Sequence, residues 1–215
     1  MSAILFDFDG VIMDTHELHY VTWKEVFWSL WISLDKERYV AQLSGSSRER
    51  IIKKILGEDI TDEKIKEISL LKEKSTDLVI AEWYQFTLLE WVAEFIDYLT
   101  SKSIPYGIGS AGVSARKFIH HWWYEKLFPI VISGDQVTHK KPDPEVFLTL
   151  ADRLSCPYKD CIVIEDSRVG IEGVHAAGMQ SVWLTHTWEI NNDIDVDLLL
   201  HDMTSYKQII KHFSL

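Results

Sequence analysis

Ala3-Ile4-Leu5-Phe6-Asp7-Phe8-Asp9-Gly10-Val11 opens the chain, four apolar residues running straight into two carboxylates one residue apart. A continuous apolar run of this length fits a strand buried on both faces, as in a parallel sheet. In open sheets of that kind, ligands bind outside the carboxyl ends of the strands, where Asp7 and Asp9 would stand. Like charges so close disfavour joint ionisation. A divalent cation removes that conflict, and hard oxygen ligands suit Mg²⁺, which needs only one or two carboxylates plus substrate phosphate.

Four more short apolar runs follow, at 104–109, 130–132, 161–164 and 181–184. Helix-period segments separate them. Thr87-Leu88-Leu89-Glu90 reads as a capping box ahead of Leu89, Val92, Ile96 and Leu99. Ser114 stands ready to cap a helix with Phe118, Ile119 and Trp122 on one side, and Asp143-Pro144 reads as a cap with proline at the first helical position. Ser167 opens a helix that stops at Gly178. This alternation predicts an α/β fold, a doubly wound parallel-sheet (Rossmann-like) core.

The stretch after the first strand breaks the alternation. Tyr20, Trp23, Phe27 and Leu30 share a helical face, Ser46 and Glu49 form a second capping box before Ile51, Ile52 and Ile55, and Thr61 starts a segment with Ile65 and Ile68. So long a helical stretch is too large for a connecting loop. It predicts an inserted α-helical cap domain at 16–80, with 1–15 and 81–215 forming the α/β core. Trp23, Phe27 and Trp31 are expected in the core of the insert.

The chain has 215 residues, 47% hydrophobic and 26% charged, enough for one core plus a small accessory domain. There is no apolar run long enough for a membrane span and no visible secretory signal, so a cytoplasmic protein is expected. Cys156 and Cys161 read as unreactive thiols. With 22 Lys and Arg against 33 Asp and Glu the net charge is −11, a field that repels nucleic acid and anionic membrane alike. A phosphate substrate would be repelled too, so a phosphate-handling site needs a metal ion and specific cations close by.

Such groups stand at the other strand tips. The run at 161–164 ends in Glu165-Asp166-Ser167, and the one at 104–109 in Gly109-Ser110-Ala111-Gly112, whose hydroxyl and backbone N–H groups suit an anion. Lys141-Pro142 precedes the helix that begins near Pro144. If the first and fourth strands are neighbours, Asp7, Asp9, Glu165 and Asp166 converge.

These motifs, in this order and spacing, resemble the four motifs of the haloacid dehalogenase superfamily over nearly the whole chain, most of all its β-phosphoglucomutase-like branch. The resemblance implies that Asp7 is the nucleophile that takes a phosphoryl group, and that Asp9 is its acid and base and gives a backbone carbonyl to the metal. It implies that Gly109, Ser110, Ala111 and Lys141 hold the phosphoryl group, and that Glu165 and Asp166 complete a Mg²⁺ site with Asp7 and Asp9. In the insert, Gly45, Ser46, Ser47 and Arg48 resemble a loop that reads a distal phosphate. His19 and Trp23 match sugar-facing positions, and Lys74 falls near a lysine of the same domain. The chain departs from the pattern at Gln85-Phe86-Thr87, at His139-Lys140 before Lys141, and at Gly112-Val113, where the polar residue often found after the alanine is missing.

The expected function is a Mg²⁺-dependent phosphohydrolase acting on a small metabolite, a sugar phosphate, through an aspartyl-phosphate. A β-phosphoglucomutase-type phosphomutase is the alternative. A phospho-binding receiver module fits poorly, because it would be shorter and capless. An inactive scaffold would lack one of Asp7, Asp9, Lys141 or Asp166, and all are present. A monomer is expected, with no nucleic-acid or membrane partner.

Overall fold

The computed structural model describes residues 2–44, 46–82, 87–121, 124–185, 194–201 and 206–215. The chain divides into two compact units, Met1–Met13 with Leu88–Leu215, and Asp14–Thr87.

The first unit is built on a parallel six-stranded sheet in the order β3-β2-β1-β4-β5-β6. Its strands are β1 (Ala3–Phe6), β2 (Tyr106–Gly109), β3 (Val131–Ile132), β4 (Cys161–Glu165), β5 (Gln180–Leu184) and β6 (Leu198–Leu200). Every residue of β1 and β4 is buried, which is why both read as unbroken apolar runs. β1 lies between β2 and β4, with Phe6 level with Ile108 on one side and Ile164 on the other. One residue further on, this register sets Asp7 beside Gly109 and Glu165. The sixth strand was not foreseen. Leu198-Leu199-Leu200 is too short for a periodicity signal, and its pairing with β5 defines it.

The helices that follow these strands supply the rest of the core. On one side, Leu5 and Val163 pack with Val146, Phe147 and Leu150 of α7 (Glu145–Leu154) and Val174 of α8 (Arg168–Ala176). On the other, Phe6 meets Phe95 of α5 (Glu90–Ser101) edge to face, with ring centroids 5.9 Å apart. Each such fully buried side chain contributes about 1.5–3 kcal/mol.

The helix starts differ in detail from the sequence reading. Ser167 does cap α8, accepting from the Gly170 N–H. The Thr87 box does not form: the N-cap of α5 is Leu89, with no side-chain bond. α7 starts after Pro144, and Asp143 accepts from the Glu145 N–H. In α6 (Ala115–His121) the carbonyl of Ser114 accepts from the Phe118 N–H, while Trp122 lies outside the described residues.

The second unit is helical: α1 (His16–Ser29), α2 (Lys36–Gln42), α3 (Arg48–Leu56) and α4 (Asp62–Glu82). Trp23, Phe27, Leu43, Ile51, Ile52 and Ile68 form its core. The cap of α3 is Ser47, not Ser46, and accepts from the Arg50 N–H. Trp31 is not in that core: α1 ends at Ser29, and Trp31 sits beyond it at φ 61° and 92% exposed. The helical period was extended two residues past the true end of the helix, onto a chain that had already turned. α2 carries too short an apolar pattern for a periodicity reading, with Tyr39 and Val40 packed into the core of this unit.

Candidate active site

Parallel strands place all their carboxyl ends on one edge of the sheet, and three adjacent tips carry the acidic and hydroxyl groups. Asp7 follows β1, Glu165 ends β4 with Asp166 next, and Ser110 follows β2. Asp7, Glu165, Ser110 and Lys141 are all buried. Lys141 Nζ donates to Asp7 Oδ1 at 2.5 Å and to Glu165 Oε1 at 2.7 Å, and lies 4.6 Å from the centre of the Phe147 ring. The other oxygen of Glu165 accepts from the Ser167 N–H at 2.6 Å and the Ser167 hydroxyl at 3.0 Å.

The tip of β2 is a tight turn. The Gly112 N–H donates to Ser110 Oγ at 3.0 Å. A Cβ on Gly112 would lie 3.3 Å from Ser110 Oγ and 3.4 Å from Asp9 Oδ2, so the Asp9 carboxylate stands against this turn. Gly134 is held there too: it donates to the Gly112 carbonyl, and a Cβ on it would sit 2.3 Å from the Ala111 carbonyl oxygen.

Electrostatics follow from that crowding. Burial pushes the Asp7 carboxyl well above the usual carboxylate range; Lys141 pulls it back, and Glu165, Asp9 and Asp166 push it further up. Burial raises Glu165 as well, again opposed by Lys141. Burial by itself would lower Lys141, but Asp7 and Glu165 outweigh it, so the ammonium is held above its ordinary value and stays charged. Carboxylate oxygens of Asp7, Glu165 and Asp166 lie within 4.8 Å of one another. A trio of oxygen donors, two of them buried, with excess negative charge fits a hard divalent cation.

Residues 4–184 match the family profile described as haloacid dehalogenase-like hydrolase. The chain belongs to that family. It is 30% identical over 187 residues to β-phosphoglucomutase of Bacillus subtilis (strain 168), covering 85% of this chain and 82% of that protein. It is equally 30% identical over 187 residues to the fructose-1-phosphate phosphatase YqaB of Escherichia coli (strain K12), covering 84% and 95%. The crystal structure of β-phosphoglucomutase from Clostridium difficile superposes with a TM-score of 0.86 at 25% identity, over 100% of this chain and 97% of that one. The protein is therefore an enzyme of the haloacid dehalogenase-like phosphatase and phosphomutase class, and members of this class generally use a divalent metal.

Other site residues predicted from sequence lie in the helical unit. His19 and Trp23 are on α1, beside Lys72 of α4. The Lys72 ammonium lies 3.5 Å from His19 Nδ1, 2.9 Å from Thr76 Oγ1 and 5.5 Å from the centre of the Trp23 ring. Ser47 and Arg48 begin α3, with Ser46 just before it. Arg48 donates from Nη1 to the Ser69 carbonyl at 3.3 Å and lies 3.6 Å from Glu73. Lys74 is exposed, whereas Lys72 is buried. Gly45, with Gln85 and Phe86, lies outside the described residues. Lys72 was missed by sequence reading, although Ile68, Lys72 and Thr76 do share one stripe at four-residue spacing.

Proposed function

We propose that this enzyme is a Mg²⁺-dependent phosphohydrolase that removes phosphate from a small metabolite, a sugar phosphate, through an aspartyl-phosphate on Asp7. The observation that carries this reading is the buried bridge from Asp7 through Lys141 to Glu165 at adjacent strand tips. Asp7 Oδ1 is held by the lysine, which leaves the other oxygen as the attacking atom. Attack forms the Asp7–phosphorus bond and breaks the ester bond, and Asp9 gives its proton to the leaving oxygen. A water then attacks phosphorus, Asp9 takes its proton, and Asp7 is regenerated as phosphate leaves. Lys141, the Ser110 hydroxyl and the backbone at Ala111 bear on the equatorial oxygens, where positioning and charge neutralisation supply most of the catalysis. Asp7, Glu165, Asp166 and the Asp9 carbonyl would hold Mg²⁺, which when bound offsets the excess negative charge and polarises the phosphoryl oxygens.

In this reading the helical unit is the cap that selects the substrate, with His19, Trp23, Ser46, Ser47 and Arg48 as its contacts. Lys72, sharing a cluster with His19 and Trp23, joins Lys74 as a candidate contact of the same unit. The sugar-phosphate class rests on what the Bacillus and Escherichia relatives are named for. A phosphomutase is the second reading, favoured by the Bacillus relative, which matches as well as the phosphatase does. The hydrolase is preferred because Arg48, the cation expected to read a second phosphate, already shares its charge with Glu73.

The test is a panel of sugar phosphates, including β-glucose 1-phosphate with a trace of bisphosphate, with and without Mg²⁺. Metal-dependent inorganic phosphate supports the hydrolase. Isomer without free phosphate supports the mutase, and neither product from any member sinks both.

A further inference from the structure

Gly170 lies on α8, five residues beyond Glu165, and a side chain there would meet its neighbours more closely than at Gly57, Gly107, Gly109, Gly112, Gly134, Gly173 or Gly178. A Cβ built there would fall 1.8 Å from Glu165 Oε1, 1.9 Å from Glu165 Cδ and 2.5 Å from Glu165 Oε2. No real pair of atoms tolerates such distances. The backbone supplies no other reason for glycine, because the residues with positive φ are elsewhere, at Gly10, Gly57 and Gly178 among the glycines. Inside a helix glycine is destabilising relative to alanine. What it provides here is a gap in the helix surface, filled by the Glu165 carboxylate.

We propose that Gly170 is a positioning residue of the phosphoryl-transfer site, acting through Glu165 on Lys141; the catalytic part of this inference rests on the function proposed above. Glu165 has nowhere else to go without loss. One of its oxygens holds the Lys141 ammonium and the other holds the Ser167 N–H and hydroxyl, at the start of the same helix. A methyl group at 170 evicts the carboxylate from that bridge. Lys141 then keeps only Asp7 of its two carboxylate partners, and is drawn off the line on which it meets the transferring phosphoryl group. The glycine thus sets where the cation stands, without touching it.

The test is a double-variant cycle of Gly170→Ala and Glu165→Asp, which shortens the side chain and draws its carboxylate back from the added methyl. Release of p-nitrophenol from p-nitrophenyl phosphate with Mg²⁺ is measured per folded molecule, alongside Tm. In the wild-type background, Gly170→Ala should lower kcat by roughly tenfold or more while KM stays within about twofold. In the Glu165→Asp background the same change should cost less than about threefold. Tm should follow the same pattern, falling when the alanine meets glutamate and not when it meets aspartate. If Gly170→Ala fails to fold alone, recovery of folded protein in the double variant is the expected result. Equal losses in both backgrounds, or an unchanged kcat and Tm in Gly170→Ala, overturn the proposal. The Tm cycle needs no turnover: if the wild type cleaves no ester, the functional reading fails, and additive Tm changes would still sink the steric one.

Discussion

Lys141 and Lys72 are buried to nearly the same extent, at 3% and 2% exposure, and keep different company. Lys141, in the sheet unit, lies between two buried carboxylates with a phenyl ring against it. Lys72, in the helical unit, lies beside a threonine hydroxyl, an imidazole and the face of a tryptophan. The first arrangement fixes a charge against opposite charges, and removing it strands them. In the second, the hydroxyl beside the ammonium also has a backbone partner: Thr76 donates to the Lys72 carbonyl at 2.7 Å. Burial alone therefore does not say what a lysine is for. What it leaves behind when removed does.

The largest effect is expected at Asp7, which Lys141 holds and which is proposed as the nucleophile. Asp7→Asn keeps the shape of the side chain and removes its ability to attack phosphorus. Turnover should fall on the order of 10³-fold or more, with the circular dichroism spectrum unchanged. Full activity in this variant would end the proposed mechanism. Next comes Lys141→Met, which leaves Asp7 and Glu165 buried without their shared cation. Breaking a buried pair in this way costs about 3–5 kcal/mol, read as a fall in the denaturation midpoint, together with loss of turnover.

The same variant exposes the sign of the pH dependence. The folded Lys141 binds its proton more tightly than an ordinary lysine at 10.5. Its contribution is therefore present in full below 10.5 and is lost as pH rises through the higher folded value. On the alkaline side the Tm gap between wild type and Lys141→Met should narrow only above pH 10.5; on the acid side it should narrow as Asp7 and Glu165, both raised by burial, take up protons. A gap that does not change with pH on either side would mean that the bridge is not ionic. Lys72→Met, by contrast, should cost about 1–2 kcal/mol, since methionine fills the space against Trp23 and Thr76 keeps its own bond. A loss as large as that of Lys141→Met would erase the distinction between the two sites.

The two lysines also show where sequence carries information. Lys141 stood out through the resemblance of Lys141-Pro142 to a family motif, while its two carboxylate neighbours sit at the ends of buried parallel strands, whose apolar runs announce themselves and whose tips must share one edge. Asp7, Ser110, Glu165 and Asp166 were placed by the same topology. Lys72 is one of four lysines spaced along α4, with Lys64, Lys66 and Lys74, in a helix that alternates charge throughout. Which of them turns inward is decided by packing between α1 and α4, which no local pattern reports. Trp31 failed for a related reason: two residues past the end of a helix, a periodic position no longer predicts a face. Gly170 was invisible because its requirement comes from a side chain on the preceding strand, not from its own backbone.

Arg48 supplies the smallest and most selective effect. Its side chain is partly buried, and burial lowers its pKa while Glu73 and Asp77 pull it back up. It sits at the first residue of α3, bonded to the Ser69 carbonyl and close to Glu73 of α4. If the helical unit reads the substrate away from the reacting phosphate, Arg48→Ala should raise KM for a sugar phosphate by about tenfold. It should leave p-nitrophenyl phosphate, which has nothing to offer a distal cation, within about twofold. If instead Arg48 only ties α3 to α4, both substrates should keep their KM and Tm alone should fall. Should both substrates lose kcat equally, the helical unit would be acting on the chemistry itself, and the proposed division between a reacting site in one unit and a recognition surface in the other would have to be abandoned.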